Sequence, residues 1–169
     1  MKNIKETIKF DGRKIQLVWH KNVIILPGIN VTQALGFCVT QNDEVLIVKI
    51  KNGKKWRLLG GHPEEGETLE QALIREVDEE GAVKIGLSEM FGFVEAVDPD
   101  NRFIEGSHYL QVRFIALITD IKDFKAIFET DERKFVPVDE LPEYIPWLKS
   151  LIGKAQYESF LEKLQHFHS

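Results

Sequence analysis

The sequence predicts a mixed α/β (α+β) fold in which helices cover a central β-sheet, and three observations predict it. Apolar residues alternate with polar ones, or run together in short stretches, over most of the chain. One strongly helical segment lies mid-chain between two strand-rich halves, and a second closes the chain. Strands and helices mix without the regular alternation of a doubly wound parallel sheet. The 169 residues, 43% hydrophobic and 29% charged, suit one globular unit with a substantial core, so residues 1–169 are expected to form a single domain.

The elements follow in order. Ile8 and Phe10, then Ile15, Leu17 and Trp19, alternate with polar neighbours on either side of Asp11-Gly12, which predicts a β-hairpin at about 4–20. LGFCVT (35–40) and VLIVKI (45–50) flank the polar turn QNDE and predict a second, more fully buried strand pair. KKWRLLGG then leads into a helical pattern from Glu67 to Glu80, with Gly81 as its stop. Beyond it MFGFVEAV and HYLQVRFIALI read as strands separated by the loop DPDNRFIEGS, and KFVPV as a short strand. DELPE turns into a helical region from about Tyr144 to Phe167, with a break near Gly153 that leaves a C-terminal helix at about 154–167.

The composition narrows the function classes. Lys plus Arg is 22 against 27 for Asp plus Glu, a net charge of -5 with no long basic run, which argues against an extended grip on nucleic acid. The single cysteine, Cys38, permits no intrachain disulfide and no Cys-rich metal site; flanked by apolar residues, it reads as a buried strand thiol. The N-terminal MKNIKETIKF lacks the apolar core of a signal peptide, and no apolar run reaches the length of a membrane span. A reducing, cytoplasmic setting is expected.

The carboxylate-rich run Arg75-Glu76-Val77-Asp78-Glu79-Glu80 carries the chemistry. On an ideal helix, at about 100° per residue, Glu76, Glu79 and Glu80 share one face, and Glu76 and Glu80 fall within the arc of Leu69, Leu73 and Val77. A solvated acidic face would lie opposite that stripe. Carboxylates gathered at the edge of a core repel one another and lose solvation, so they need protons or a cation, and a hard divalent ion with oxygen ligands is the natural compensation. Gly60-Gly61 allows close backbone approach, Gly66 a tight turn, and the helix start at about Thr68 presents free N–H groups. A glycine-rich loop running into an acidic helix best serves metal-assisted attack of water on phosphorus.

Gly61, Glu67 and the run 75–80 resemble the signature of Nudix hydrolases, G-x5-E-x7-R-E-U-x-E-E-x-G-U with U bulky and apolar. Val77 and Val83 fill the U positions of a box running from Gly61 to Val83, and every charged position is matched. Two positions depart from the pattern: Ala82 stands where it has glycine, and Leu59 replaces a proline common before the paired glycines. The resemblance implies an α/β/α sandwich with a mixed central sheet, and hydrolysis of a pyrophosphate bond in a nucleoside diphosphate linked to another group. It implies that Glu76, Glu79 and Glu80, with the backbone oxygen of Gly60, coordinate Mg²⁺ or Mn²⁺. Arg75 would orient the glutamates, and Glu67 would brace the loop that holds Gly60 and Gly61.

The base that activates water is a box glutamate or an acid outside the box, for which Glu95, Glu105, Glu129 and Glu132 are candidates. His62 follows the paired glycines and could touch phosphate; Trp56, Phe93, Phe103 and Tyr109 could stack on a base, although strand aromatics are usually core. The first choice of substrate is a (deoxy)nucleoside triphosphate, standard or oxidised. ADP-ribose or a nucleotide sugar is second: Pro99, sixteen residues past Val83, resembles a mark of the ADP-ribose group in a context that lacks the rest of it. A non-catalytic nucleotide-sensing module is the alternative of a different class. The expected partner is a small nucleotide, with neither membrane nor extended nucleic acid; dimers are frequent among similar proteins, so a homodimer is compatible.

Overall fold

The computed structural model describes residues 3–21, 23–103 and 106–168. Its strands are β1 (Ile4–Phe10), β2 (Arg13–His20), β3 (Asn30–Val39), β4 (Glu44–Ile50), β5 (Trp56–Arg57), β6 (Leu59–Gly61), β7 (Val83–Val97), β8 (His108–Ile121) and β9 (Thr130–Pro137). Helix α1 (Leu69–Gly81) lies between β6 and β7, and α2 (Leu141–Tyr144) and α3 (Leu151–Phe167) follow β9. The sheet runs β1-β2-β7-β8-β3-β4-β5, with β6 alongside β3 and β9 alongside β4. Among the described residues only the β3–β8 pairing is parallel, which makes the sheet mixed.

The hairpin read around Asp11-Gly12 is β1 and β2, and both turn residues take positive φ (48° and 74°), the conformation a two-residue hairpin turn demands. The second strand pair is borne out beside its turn and corrected beyond it. β3 and β4 meet only at Val39 and Val45, then diverge: β4 pairs along its length with β9, and β3 with β8 and β6. Both strands are apolar on both faces because each lies within the sheet between helices, so their pattern carries no information about partners.

Each face of the sheet carries a core. On one, Ala72, Leu73 and Val77 of α1 meet Ala34, Cys38, Leu46 and Leu59. On the other, Phe160 of α3 stacks on Phe37, ring centroids 4.6 Å apart, with Trp19, Phe91 and Ile152 around them. The result is the expected α/β/α sandwich. Cys38 is the buried strand thiol anticipated; burial above all, with the charge of Glu80, pushes its pKa up to about 12.

Helix ends supply two more corrections. Gly81 does not lie past the end of α1 but is its last residue, helical and buried, a Cβ there lying 2.5 Å from Leu59 Cδ2 and 2.8 Å from Leu46 Cδ2. The left-handed terminal position (φ 51°, ψ 47°) falls to Ala82, whose N–H donates to the Asp78 carbonyl. The helical stretch after β9 breaks at Ser150, not at Gly153: Ser150 caps α3, accepting from the Gly153 N–H at 3.1 Å, and the helix begins at Leu151. Gly153 is required for another reason, since a Cβ there would overlap the Trp147 carbonyl.

Candidate active site

β6 and α1 build the site together. Gly60 has φ 138° and lies so close to β3 that a Cβ would overlap the Ala34 carbonyl; one on Gly61 would overlap the Glu76 carboxylate. The paired glycines thus let the backbone pass directly beneath a box glutamate. The connecting loop is tied at both ends. His62 Nδ1 lies 2.7 Å from the Thr32 carbonyl, and Glu67 Oε2 accepts from the Glu64 N–H at 2.9 Å. Thr68 caps α1 through a reciprocal pair with Gln71, each side chain accepting from the other's backbone N–H.

Arg75 is the hub of this arrangement. Its Nε donates to Glu67 Oε1 at 2.7 Å and its Nη2 to Glu67 Oε2 at 3.0 Å, a two-pronged pairing; Nη1 donates to Glu76 Oε1 at 2.9 Å, and Glu79 lies 3.6 Å away. Nη2 also reaches the His62 carbonyl at 3.2 Å. The guanidinium holds the Glu67 carboxyl down at about 2, so Glu67 stays ionised as a brace. It lies behind Arg75 and is not among the cavity-lining residues.

Glu80 is the most buried of the box carboxylates, at 4% exposure. Its Oε2 accepts from the Gly60 N–H at 3.0 Å, and its Oε1 is paired with Arg57. Burial pushes its pKa up to about 7; Arg57 and the Gly60 N–H act against that rise, while Glu76 and Glu129 add to it. Glu76 and Glu79 sit toward the rim. The helical-wheel reading therefore holds most strongly at Glu80, which shares the buried face with Leu73 and Val77.

Gly60, Gly61, Arg75, Glu76, Glu79 and Glu80 surround one cavity of about 430 Å³, joined by Arg57, His62, Glu64, Phe128 and Glu129. Five glutamates against two arginines give it an excess of negative charge, and every carboxylate is a hard oxygen donor, so the lining suits Mg²⁺ or Mn²⁺ in kind. Among the described residues no three such side chains converge at metal-ligand spacing: Glu80 is held by Arg57 and Glu76 by Arg75. A divalent ion at Glu80 would have to take the place of Arg57.

The candidates outside the box separate. Glu129 lines the acidic cavity. Glu95 instead bridges His20 and His108, at 2.7 Å each, and Glu132 pairs with Lys49 at 3.3 Å; Glu105 lies outside the described residues. Phe93 is core, at 1% exposure, and Trp56 lies beneath Lys49, 4.5 Å from its ring centroid. Phe103 and Tyr109 line a neighbouring cavity of about 420 Å³ that also includes His62.

A third cavity, of about 390 Å³, adjoins the acidic one through Arg57 and Gly60. Sequence reasoning missed its polar residues, Gln33, Gln111, Arg113 and Gln156, and also Arg57. A signal existed for Arg113: in YLQVRFIALI it falls, at period two, in line with Ile115 and Leu117, an inward cation on an apolar strand.

With this sheet, loop and acidic helix in place, the family follows: a Nudix-domain model matches residues 31–155, and the chain belongs to the Nudix family as a hydrolase of phosphoric anhydride bonds. It is 28% identical over 138 residues to an ADP-ribose pyrophosphatase of Methanocaldococcus jannaschii, covering 80% of this chain and 73% of that protein. Among solved structures it is similar to the Bacillus subtilis pyrophosphohydrolase BsRppH, with a TM-score of 0.69, 17% identity, and 96% of this chain and 98% of that one covered. It is also similar to the Nudix domain of Shewanella oneidensis NrtR, solved with ADP ribose, with a TM-score of 0.59, 23% identity, and 80% and 88% covered. These two likenesses concern the fold.

Proposed function

We propose that the chain is a divalent-metal-dependent pyrophosphohydrolase whose substrate is a (deoxy)nucleoside triphosphate, standard or oxidised, cleaved to monophosphate and pyrophosphate. The observation that carries this is the buried Glu80 carboxylate, set among further glutamates beside Gly60 and Gly61 in one open cavity. Glu76, Glu79 and Glu80, with the backbone oxygen of Gly60, would hold Mg²⁺ or Mn²⁺, the ion displacing Arg57 from Glu80. Bound there, the metal supplies Lewis-acid polarisation of phosphoryl oxygens and a more acidic water. The chain's own residues do the rest. Arg75 fixes Glu76 and Glu67, keeping the carboxylates on one side of the loop. A cavity glutamate, Glu129 or one of the box, accepts the proton of the attacking water as its oxygen bonds to the phosphorus on one side of the α–β bridge, and the bridging P–O bond breaks toward the group on the other side, giving monophosphate and pyrophosphate. Arg57, released from Glu80, is left beside the phosphates to offset their charge.

ADP-ribose is the second reading, favoured by the name of the Methanocaldococcus relative. A nucleotide-sensing module without turnover would have little use for a carboxylate kept buried at this cost. The cytoplasmic assignment belongs to the same proposal, supported by the lone buried Cys38; among the described residues no helix is long and apolar enough to cross a membrane. A turnover panel of nucleoside triphosphates, ADP-ribose and dinucleoside polyphosphates with Mg²⁺ or Mn²⁺, run beside Glu80→Gln, tests the reading. Triphosphate cleavage that Glu80→Gln abolishes is expected; binding without cleavage, identical in the variant, overturns it.

A further inference from the structure

The cavity next to the acidic site holds a buried cation that has no anion. Arg113, on β8, is 5% exposed, and among the described residues no carboxylate lies within ion-pair distance of it. Its partners are neutral: Nε donates to Gln156 Oε1 at 2.7 Å, while the other contacts are long, to Gln33 Oε1 and Gln111 Oε1 at 3.4 Å and to the Val112 carbonyl at 3.3 Å. Each of its three nitrogens finds a neutral partner, yet only the Nε bond is short, which is poor satisfaction for a desolvated guanidinium. Burial correspondingly pulls its pKa down to about 9. The cost recurs in every folded molecule, so the cavity is built around a group that is to be met by something else.

The surroundings say what that is. Gln33 and Gln111 turn their amide oxygens toward Arg113, which leaves their NH₂ groups as further donors, so this end of the cavity lacks acceptors. The walls are aliphatic, with Leu17, Leu35, Val94 and Ile152 among them, and Trp147 stands beside the guanidinium, its ring centroid 6.0 Å from Cζ. A phosphate here would be a multiply charged anion between apolar walls with one buried cation to receive it, and its lost hydration would be ill repaid. A flat, neutral, apolar-faced group with two adjacent acceptors is matched on every count. Among nucleobases the 6-oxopurines present that pair, O6 beside N7, to a guanidinium; adenine puts an amino donor where O6 would be.

We propose that this cavity is the base site for the nucleotide whose phosphates occupy the acidic cavity, and that Arg113 selects a 6-oxopurine over adenine by donating to its O6/N7 edge. The inference rests on the pyrophosphohydrolase reading for the placement of the phosphates, which would reach it past Arg57 and Gly60, the residues the two cavities share.

The test compares GTP, ITP and ATP as substrates of the full chain with Mg²⁺, and binding of GMP and AMP by calorimetry, in the wild type, Arg113→Met and Arg113→Lys. ITP isolates the 6-oxo group from the 2-amino group. Wild-type kcat/KM for GTP and ITP is expected to exceed that for ATP by about tenfold or more, with GMP bound more tightly than AMP in the same sense. Arg113→Met removes an unpaired buried charge at similar volume, so its thermal unfolding should not fall, and the GTP preference should collapse to within roughly threefold. Arg113→Lys, keeping the charge and losing the fork, should lose most of it too. Cleavage with no preference between GTP and ATP, or a preference that survives in Arg113→Met, overturns the inference and leaves the hydrolase reading standing. No cleavage of any triphosphate, with GMP still selected over AMP in the wild type and not in Arg113→Met, overturns the triphosphate reading and supports the base site. Neither cleavage nor selective binding overturns both.

Discussion

Glu80 offers the sharpest test of why the site needs a cation, because its protonation is coupled to folding. Its carboxyl titrates at about 7 in the folded protein against an ordinary 4.5, so the folded state binds this proton more tightly than the unfolded chain does. Below about pH 4.5 both states hold the proton and the stabilisation is fully present; as pH rises from there the unfolded chain ionises first and stability falls, and above about pH 7 both are ionised and the loss is complete. The gap between the two values corresponds to about 3 kcal/mol, and in a chain of this size to a Tm shift of roughly 6–12 °C. Glu80→Gln cannot titrate, so the wild-type-minus-variant difference isolates this group. Urea unfolding with EDTA present, followed by tryptophan fluorescence from about pH 4.5 to 8, should show the wild type losing about 3 kcal/mol relative to Glu80→Gln. Mg²⁺ added at the alkaline end should restore the wild type selectively, since it binds the ionised carboxylate. A difference that stays flat with pH would refute the reasoning, for it would mean that Arg57 and the Gly60 N–H fully solvate the carboxylate and no cation is wanting.

Three further outcomes are expected. Ala82→Gly should stabilise the fold by up to about 1 kcal/mol in thermal unfolding, because it relieves a left-handed alanine at the end of α1 and loses part of that gain to the freer unfolded chain; Gly81→Ala should instead destabilise by about 1–3 kcal/mol, through its clash with Leu59 and Leu46. Glu129→Gln should lower kcat by roughly 100-fold or more if Glu129 is the base, whereas Glu95→Gln and Glu132→Gln, whose carboxylates face histidines and Lys49, should change kcat little. Arg75→Gln should lower kcat by roughly 10- to 100-fold and weaken Mg²⁺ binding measured by calorimetry, since Glu67 and Glu76 lose the group that orients them.

The acidic half of the site was legible in the sequence because its geometry is local. Residues three and four apart on a helix must share a face, so Glu76, Glu79 and Glu80 could be placed together, and Glu80 among apolar residues, before any tertiary contact was known. Gly60-Gly61 signalled a close backbone approach by residue type alone, although the groups they approach, the Ala34 carbonyl and the Glu76 carboxylate, come from other elements. Misreadings came where tertiary contact decides. Gly81 and Gly153 look like helix punctuation, yet both are helical and glycine because Leu46, Leu59 and the Trp147 carbonyl leave no room for a Cβ. The left-handed position went to Ala82, which no propensity scale would choose.

The cavity around Arg113 escaped for a different reason. Its lining comes from strands β1–β3 and β5–β8, the turn before α3 and α3 itself, so Leu17, Gln33, Arg113 and Trp147 meet only once β3 lies parallel to β8 and α3 folds back over them. Because β8 is covered on both faces, Leu110, Val112 and Phe114 point to one helix layer while Gln111, Arg113 and Ile115 point to the other, and the hydrophobic alternation that would orient the strand disappears. Gln111 and Arg113 broke the symmetry, and of the two Arg113 is the charged one. A charge placed inward on a strand buried on both sides must find a partner, and when the protein provides only glutamine oxygens and one peptide carbonyl the remaining partner is sought in a ligand. The same logic applied to Glu80 leads to a metal ion, so one substrate bridging the two cavities, its phosphates on that metal and its base on Arg113, would give both buried groups a partner in a single binding event.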